Sequence, residues 1–178
     1  LLEETIIIKN NALIIEPSAG NGSFIEFLSK LPWTKEFYDL YPSHPSVIKQ
    51  DYYTFDSDYT KKYEQVIVIG NPPFGRQSTH THKFIKKSCS YCDVVAFIVP
   101  RSFKKESMRS RVPRNFHLVK ECDLPDDSFT IQGEDHKVPC MFQIWKKEPY
   151  LREKFVKHKE EGYEFVKKSE HPTIAIRR

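Results

Sequence analysis

The residues best suited to chemistry are Asn71-Pro72-Pro73-Phe74. They follow Val66-Ile67-Val68-Ile69-Gly70, a β-branched apolar run that reads as a fully buried strand of a parallel sheet. Two consecutive prolines forbid the strand's extension and bias the residue before them towards extended geometry. A polar amide and an aromatic ring are therefore held on a stiff turn at the strand's C-terminal edge, where open α/β sheets bind ligands. Such a turn suits a planar group that carries an NH2. The Asn71 side-chain oxygen and the Pro72 carbonyl can each accept one N–H, and the Phe74 ring can stack on the plane. Read alone, Pro72-Pro73 is an ordinary strand-end turn. The full Asn-Pro-Pro-Phe directly after an apolar strand favours a site.

A second set of candidates lies upstream. Leu13-Ile14-Ile15-Glu16 reads as a first strand, and Pro17-Ser18-Ala19-Gly20-Asn21-Gly22-Ser23 as a small-residue loop. Apolar residues at helical spacing follow from Phe24 to Leu31, with a stop at Pro32. Gly20 and Gly22 permit a tight backbone and close approach of a ligand at the helix N-terminus. Glu36 to Leu40 reads as a second strand, and Asp39 follows Gly20 by about 20 positions, the interval at which a carboxylate meets ribose hydroxyls. A surface aspartate at a strand end is the plainer alternative. Val47 to Gln50 reads as a third strand, closed by Asp51. Asp51 can accept from an adenine amine or cap the segment after it. Tyr52, Tyr53 and Phe55 wall a pocket or fill core.

Further strands are expected at Val94–Val99, Phe116–Val119 and Val138–Trp145, with an amphipathic helix around Phe84 ending by Ser90. The loop from Gly75 to Thr81, with Arg76, Gln77, Ser78 and His80, is placed for substrate contacts. Downstream, Arg101, Lys104, Lys105, Arg109, Arg111, Arg114 and Lys120 stand against the single acid Glu106, and Lys83, Lys86 and Lys87 lie just before. This local surplus suits a phosphate-rich partner, although a solvated helix face has the same composition.

The bulk properties set bounds. The chain has 178 residues and a formal net charge of +4, the size of one domain with a proper core. No apolar run approaches the roughly 20 residues that span a bilayer, and Leu1 to Ile8 is too short and acidic for a signal peptide. Cys89 and Cys92 lack a second pair at metal spacing, so intracellular thiols are expected rather than zinc. Beyond Lys146 the chain is highly charged. Residues 1–146 are expected to form the domain and 147–178 an appendage with a small hairpin (Tyr163–Val166 with Thr173–Ile176).

Three markers thus stand in one order: Glu16-Pro17-Ser18-Ala19-Gly20, Asp39, and Asn71-Pro72-Pro73-Phe74. The chain resembles class I S-adenosylmethionine-dependent methyltransferases, in the amino-methylating branch. The Glu-Pro-x-x-Gly start is similar to that of N6-adenine DNA methyltransferases, and Asn-Pro-Pro-Phe-Gly also occurs in N6-adenine RNA methyltransferases. The run from Phe97 through Pro100-Arg101-Ser102-Phe103-Lys104-Lys105 is similar to methyltransferase-like proteins of large DNA viruses and bacteria. The resemblance implies a Rossmann-like, seven-stranded, mostly parallel sheet with helices on both faces and an antiparallel last strand. It implies that Glu16, Pro17, Ser18, Ala19, Gly20 and Gly22 wrap the methionine part of the cofactor. Asp39 would take the ribose and Asp51 the adenine amine. Asn71 and Pro72 would hold the target amine, with Pro73 stiffening the corner and Phe74 stacked on the base. Arg76, Arg101, Lys104 and Lys105 would hold a nucleic-acid strand, DNA ahead of RNA.

Two features depart from the family pattern. Little follows Lys146 where DNA methyltransferases carry a target-recognition domain, which leaves recognition to a structured RNA, a protein partner or further chain. The segment preceding the first strand is short. Protein glutamine methylation uses a similar turn, usually with Tyr, and Phe74 and the basic run lean against it. A catalytically silent nucleic-acid-binding subunit would not need Asn71. A dehydrogenase-type nucleotide site leaves Asn71 to Phe74 unexplained.

Overall fold

The computed structural model describes residues 2–125, 130–131, 134–135, 138–156 and 166. The central sheet has seven strands: β1 (Ala12–Glu16), β2 (Thr34–Asp39), β3 (Ile48–Lys49), β4 (Gln65–Gly70), β5 (Val94–Pro100), β6 (Phe116–Asp123) and β7 (Cys140–Lys147). Their order is β3-β2-β1-β4-β5-β7-β6. The first five run parallel, and β7 lies antiparallel between β5 and β6. Among the described residues, four α-helices accompany the sheet: α1 (Leu2–Thr5), α2 (Ile25–Ser29), α3 (Thr79–Cys89) and α4 (Glu106–Arg109).

The apolar runs explain the centre. Every residue of β1 and β4 is buried, as expected of parallel strands covered on both faces. Their side chains alternate between two cores. Leu13, Ile15, Val66, Val68, Val95 and Phe97 point to one face, where Phe84 and Ile85 of α3 join Phe103 and Trp145. Ile14, Ile67, Ile69, Val94 and Ala96 point to the other, beneath Ile6, Leu28 and Phe37.

The boundaries depart from expectation in physically readable ways. The helix expected from Phe24 to Leu31 contracts to five residues, because turns carry the chain from the glycine loop to Ile25. Strand β6 runs on to Asp123 through polar residues, since its partner β7 supplies the ladder. A register shift between Leu118 and Lys120 leaves Val119 exposed. The final strand starts at Cys140 rather than Val138. Cys89 and Cys92 are both buried in the core beside α3. The expected hairpin of the C-terminal segment lies outside the described residues. Up to Arg152 that segment folds back: the Arg152 guanidinium donates to the carbonyls of Phe116, Val112 and Arg109 and stacks over Trp145.

The chain leaves β1 towards β2 and β3 on one side, and β4 leads to β5 on the other. Between β1 and β4 the order reverses, which leaves a crevice outside the carboxyl ends of those strands.

Candidate active site

The crevice is occupied by a cleft of about 440 Å³, lined by Pro17, Ser18, Asp39, Leu40, Tyr41, Gln50, Asp51, Tyr52, Tyr53, Asn71, Pro73, His80 and Phe84. The ends of β1, β2 and β4 therefore converge on it.

From β1, Glu16 is fully enclosed, and one of its oxygens, Oε2, has no hydrogen-bond partner. Burial, and next the Asp39 carboxylate, push its carboxyl up to about 7. The following loop is laced to β2. The Ala19 N–H donates to the Tyr38 carbonyl at 2.9 Å, and the Gly20 N–H to Asp39 Oδ2 at 2.8 Å. Gly22 sits at φ +82°, where a Cβ would come within 2.8 Å of Ile25 and 2.9 Å of the His44 ring. A side chain has neither the backbone freedom nor the room there.

Asp39 holds this loop and its own turn together. Its second oxygen accepts from Tyr41 N–H at 2.7 Å. Each carboxylate oxygen has a further lone pair for a ligand hydroxyl. Asp51 caps the turn after β3, accepting from Tyr53 N–H at 2.9 Å, while it also lines the cleft. Tyr52 both walls the cleft and fills core, its hydroxyl bonded to Ser88 and Tyr91.

From β4 comes the proline corner. The Ser18 hydroxyl donates to the Asn71 carbonyl at 3.1 Å, which ties this corner to the first loop. Pro72 is buried, and the Pro73 carbonyl accepts from the Thr81 hydroxyl of α3 at 3.3 Å. With the ring constraints, these bonds fix the turn from both sides. Asn71 Oδ1 is buried and without a partner. A buried acceptor left unpaired costs about 1–3 kcal/mol, so it points to a ligand donor.

The sequence-derived candidates divide. Pro17, Ser18, Asp39, Asp51, Asn71 and Pro73 line the cleft, with Glu16 buried behind it. Phe74 is half-buried and does not line it; Arg76 is exposed in the turn before α3. The downstream basic segment stands apart. Lys104 pairs with Asp123 at 2.7 Å, Arg101 approaches the same carboxylate at 3.5 Å, and Arg109 forks onto Glu121 at 2.8 Å. Those two acids lie on β6, just beyond the basic stretch from Arg101 to Lys120. Lys105 lines a separate cleft with Ser102, Ser107 and Arg111. Leu40, Tyr41, Gln50 and Phe84 are lining residues that the sequence did not single out. The exposed apolar pair Leu40–Tyr41, directly after a strand-end carboxylate, was the available signal.

The lining carries two carboxylates, aromatic rings and no lysine or arginine. It suits a nucleoside that is cationic or neutral, with hydroxyls for Asp39, and does not suit a polyphosphate.

No family model matches the chain. A 77-residue stretch is 40% identical to the type II methyltransferases M.HincII and M.HindII of Haemophilus influenzae. The match covers 40% of this chain and 14% of either relative, so the chain spans a small part of their length. Among solved structures, TrmN from Thermus thermophilus superposes with a TM-score of 0.54 at 13% identity, covering 83% of this chain and 47% of that one. Magnesium protoporphyrin IX methyltransferase from Synechocystis PCC 6803, solved with bound S-adenosylmethionine, gives 0.54 at 11% identity, covering 76% and 70%. The N1-methyltransferase of 1,6-didemethyltoxoflavin from Burkholderia thailandensis, with bound S-adenosylhomocysteine, gives 0.54 at 10%, with the same coverage. With its strand order and its antiparallel β7 between β5 and β6, the chain has the Rossmann-like fold of class I S-adenosylmethionine-dependent methyltransferases.

Proposed function

We propose that the chain is an S-adenosylmethionine-dependent methyltransferase that acts on the N6 amine of adenine in nucleic acid, with S-adenosylhomocysteine as the other product. DNA stands ahead of RNA because the Glu16-Pro17-Ser18-Ala19-Gly20 start resembles N6-adenine DNA methyltransferases. The observation that carries the reading is the buried, unpartnered Asn71 Oδ1 in a cleft shared with Asp39.

The residues fit the cofactor. Asp39 has lone pairs for ribose hydroxyls and Asp51 for an adenine amine, and Glu16, its carboxyl pushed up to about 7, lies behind the loop that would hold the methionine part, where a cationic ligand would favour its ionised form. When bound, the cofactor supplies an activated methyl on a sulfonium. The residues of the chain supply orientation. An exocyclic adenine amine is a poor nucleophile because its lone pair is delocalised into the ring. Asn71 Oδ1 and the Pro72 carbonyl each accept one of its two N–H groups, which favours a pyramidal nitrogen with the lone pair aimed at the methyl. No covalent intermediate is needed, and catalysis comes from positioning and from fixed dipoles. In a duplex the base must leave the stack, at a cost of a few kcal/mol. Stacking on an aromatic ring of the cleft wall, such as Tyr53, returns about 1–3 kcal/mol; Phe74, expected from the sequence in this role, lies outside the lining.

Methyl transfer from labelled S-adenosylmethionine to DNA, RNA and protein pools, followed by nucleoside and amino-acid analysis, tests the reading. Label in N6-methyladenine is expected; label in glutamine points to the alternative reaction. Calorimetry supplies an independent check. Asp39→Ala is expected to weaken S-adenosylmethionine binding at least 10-fold, roughly the 1.4 kcal/mol of one good hydrogen bond to a charged group. Unchanged affinity would remove Asp39 from its assigned role.

A further inference from the structure

The lysines of α3, rather than the downstream basic segment, form the track along which a substrate strand reaches the cleft. We propose this as a phosphate-binding groove, and it rests on the nucleic-acid reading above. Four observations carry it.

Lys86 and Lys87 follow Lys83 by three and four residues, which sets each of them about 5–6 Å from it on the helix surface. Together with Tyr53 and Ser90 they line an open groove. Tyr53 is also a wall of the active-site cleft, so groove and cleft share an edge. Among the described residues none of the three lysines pairs with a carboxylate, whereas Arg101, Lys104 and Arg109 face Asp123 or Glu121, and Lys105 and Arg111 line a cleft that shares no wall with the active site.

The local geometry divides the work. Lys87 Nζ donates to the Phe55 carbonyl at 2.7 Å, which anchors the base of the groove. Lys83 Nζ lies 5.7 Å from the centre of the Tyr53 ring, and the Tyr53 hydroxyl bonds His80 Nδ1 at 2.8 Å. Tyr53 is thereby held upright between the two spaces, with a cation on its groove side and the cleft on the other. The dipole of α3 favours cations in its last turn, which accounts for Lys86 and Lys87. It does not account for Lys83 or for the shared wall. A strand whose base enters the cleft past Tyr53 leaves its flanking phosphates within reach of Lys83 and Lys86. Helix α3 itself contains no acid to oppose them.

The test is fluorescence anisotropy with labelled adenine-containing single strands of about 12 nucleotides, one of DNA and one of RNA. The Lys83→Ala/Lys86→Ala protein is expected to bind both about 10-fold more weakly than the native chain at low salt. The slope of log K against log salt should fall by about 0.7 for each lysine removed. Calorimetric S-adenosylmethionine affinity should stay unchanged, which reports an intact cleft. If the native chain binds strands and the variant matches it in affinity and slope, the groove assignment is wrong while the methyltransferase reading stands. An effect confined to RNA or to DNA overturns the phosphate assignment, because both strands carry the same phosphates. A native chain that binds neither strand and labels only protein overturns the nucleic-acid reading and the groove with it.

Discussion

Asn71 Oδ1 and Glu16 Oε2 are buried oxygens without partners, and both belong to the crevice at the ends of β1 and β4. Folding gains nothing from either, so each is stability given up where a ligand can restore it. Glu16 makes this measurable. Its folded carboxyl titrates near 7 against an ordinary value of 4.5, so the native state holds the proton more tightly than the unfolded chain. The associated stability is fully present below about 4.5 and is lost as pH rises to about 7, a difference of about 3 kcal/mol. Glu16→Gln should therefore stabilise the ligand-free protein more at pH 8 than at pH 4.5, by up to that amount. Urea midpoints at the two pH values read it, and equal effects at both would contradict it. The sequence placed Glu16, Asp39 and Asn71 by their positions at strand ends. It could not show that Phe74 lies outside the cleft lining or that the Pro73 carbonyl is taken by Thr81, because both follow from the path of the chain beyond the corner.

At the scale of elements, the loop between β1 and α2 carries the site's precision. Gly22 permits the loop to close under His44, and Asp39 ties it down through the Gly20 N–H. Gly22→Ala should cost at least about 1 kcal/mol in stability and weaken S-adenosylmethionine binding at the same time. Thermal unfolding and calorimetry on one sample decide it, and a change in neither would show that the loop tolerates a side chain. The strands were legible because buried parallel strands are continuous apolar runs, as in β1, β4 and β5. The edge was not: β6 continues through Lys120, Glu121 and Asp123, which carry no strand pattern of their own. Two of these residues also change the electrostatic picture: Glu121 meets Arg109, and Asp123 meets Lys104 and Arg101. The exposed pairs on Asp123 are worth little to stability, about 0–1 kcal/mol each, but with the part-buried Arg109–Glu121 pair they lower the free positive charge on that side.

Over the whole molecule, the segment after β7 straps the start of the edge strand β6. Arg152 crosses back over Trp145 and donates to three backbone carbonyls around α4 and β6. Arg152→Ala should destabilise the fold by about 2–3 kcal/mol, through donors lost to the Phe116 and Val112 carbonyls and lost packing on the indole. A fall in the urea midpoint with unchanged S-adenosylmethionine affinity of the folded protein is expected, because the strap lies away from the cleft lining. Among the described residues no helix is long and apolar enough to cross a membrane.

The most direct test is Asn71→Ala, read as S-adenosylmethionine affinity by calorimetry and N6-methyladenine formed on DNA and RNA by nucleoside mass spectrometry. Methyl transfer should fall at least about 100-fold while cofactor affinity stays within a few-fold, since a single preorganised acceptor is removed. Turnover retained by the variant, or label recovered from anything other than adenine in the native chain, would contradict the role given to the proline corner.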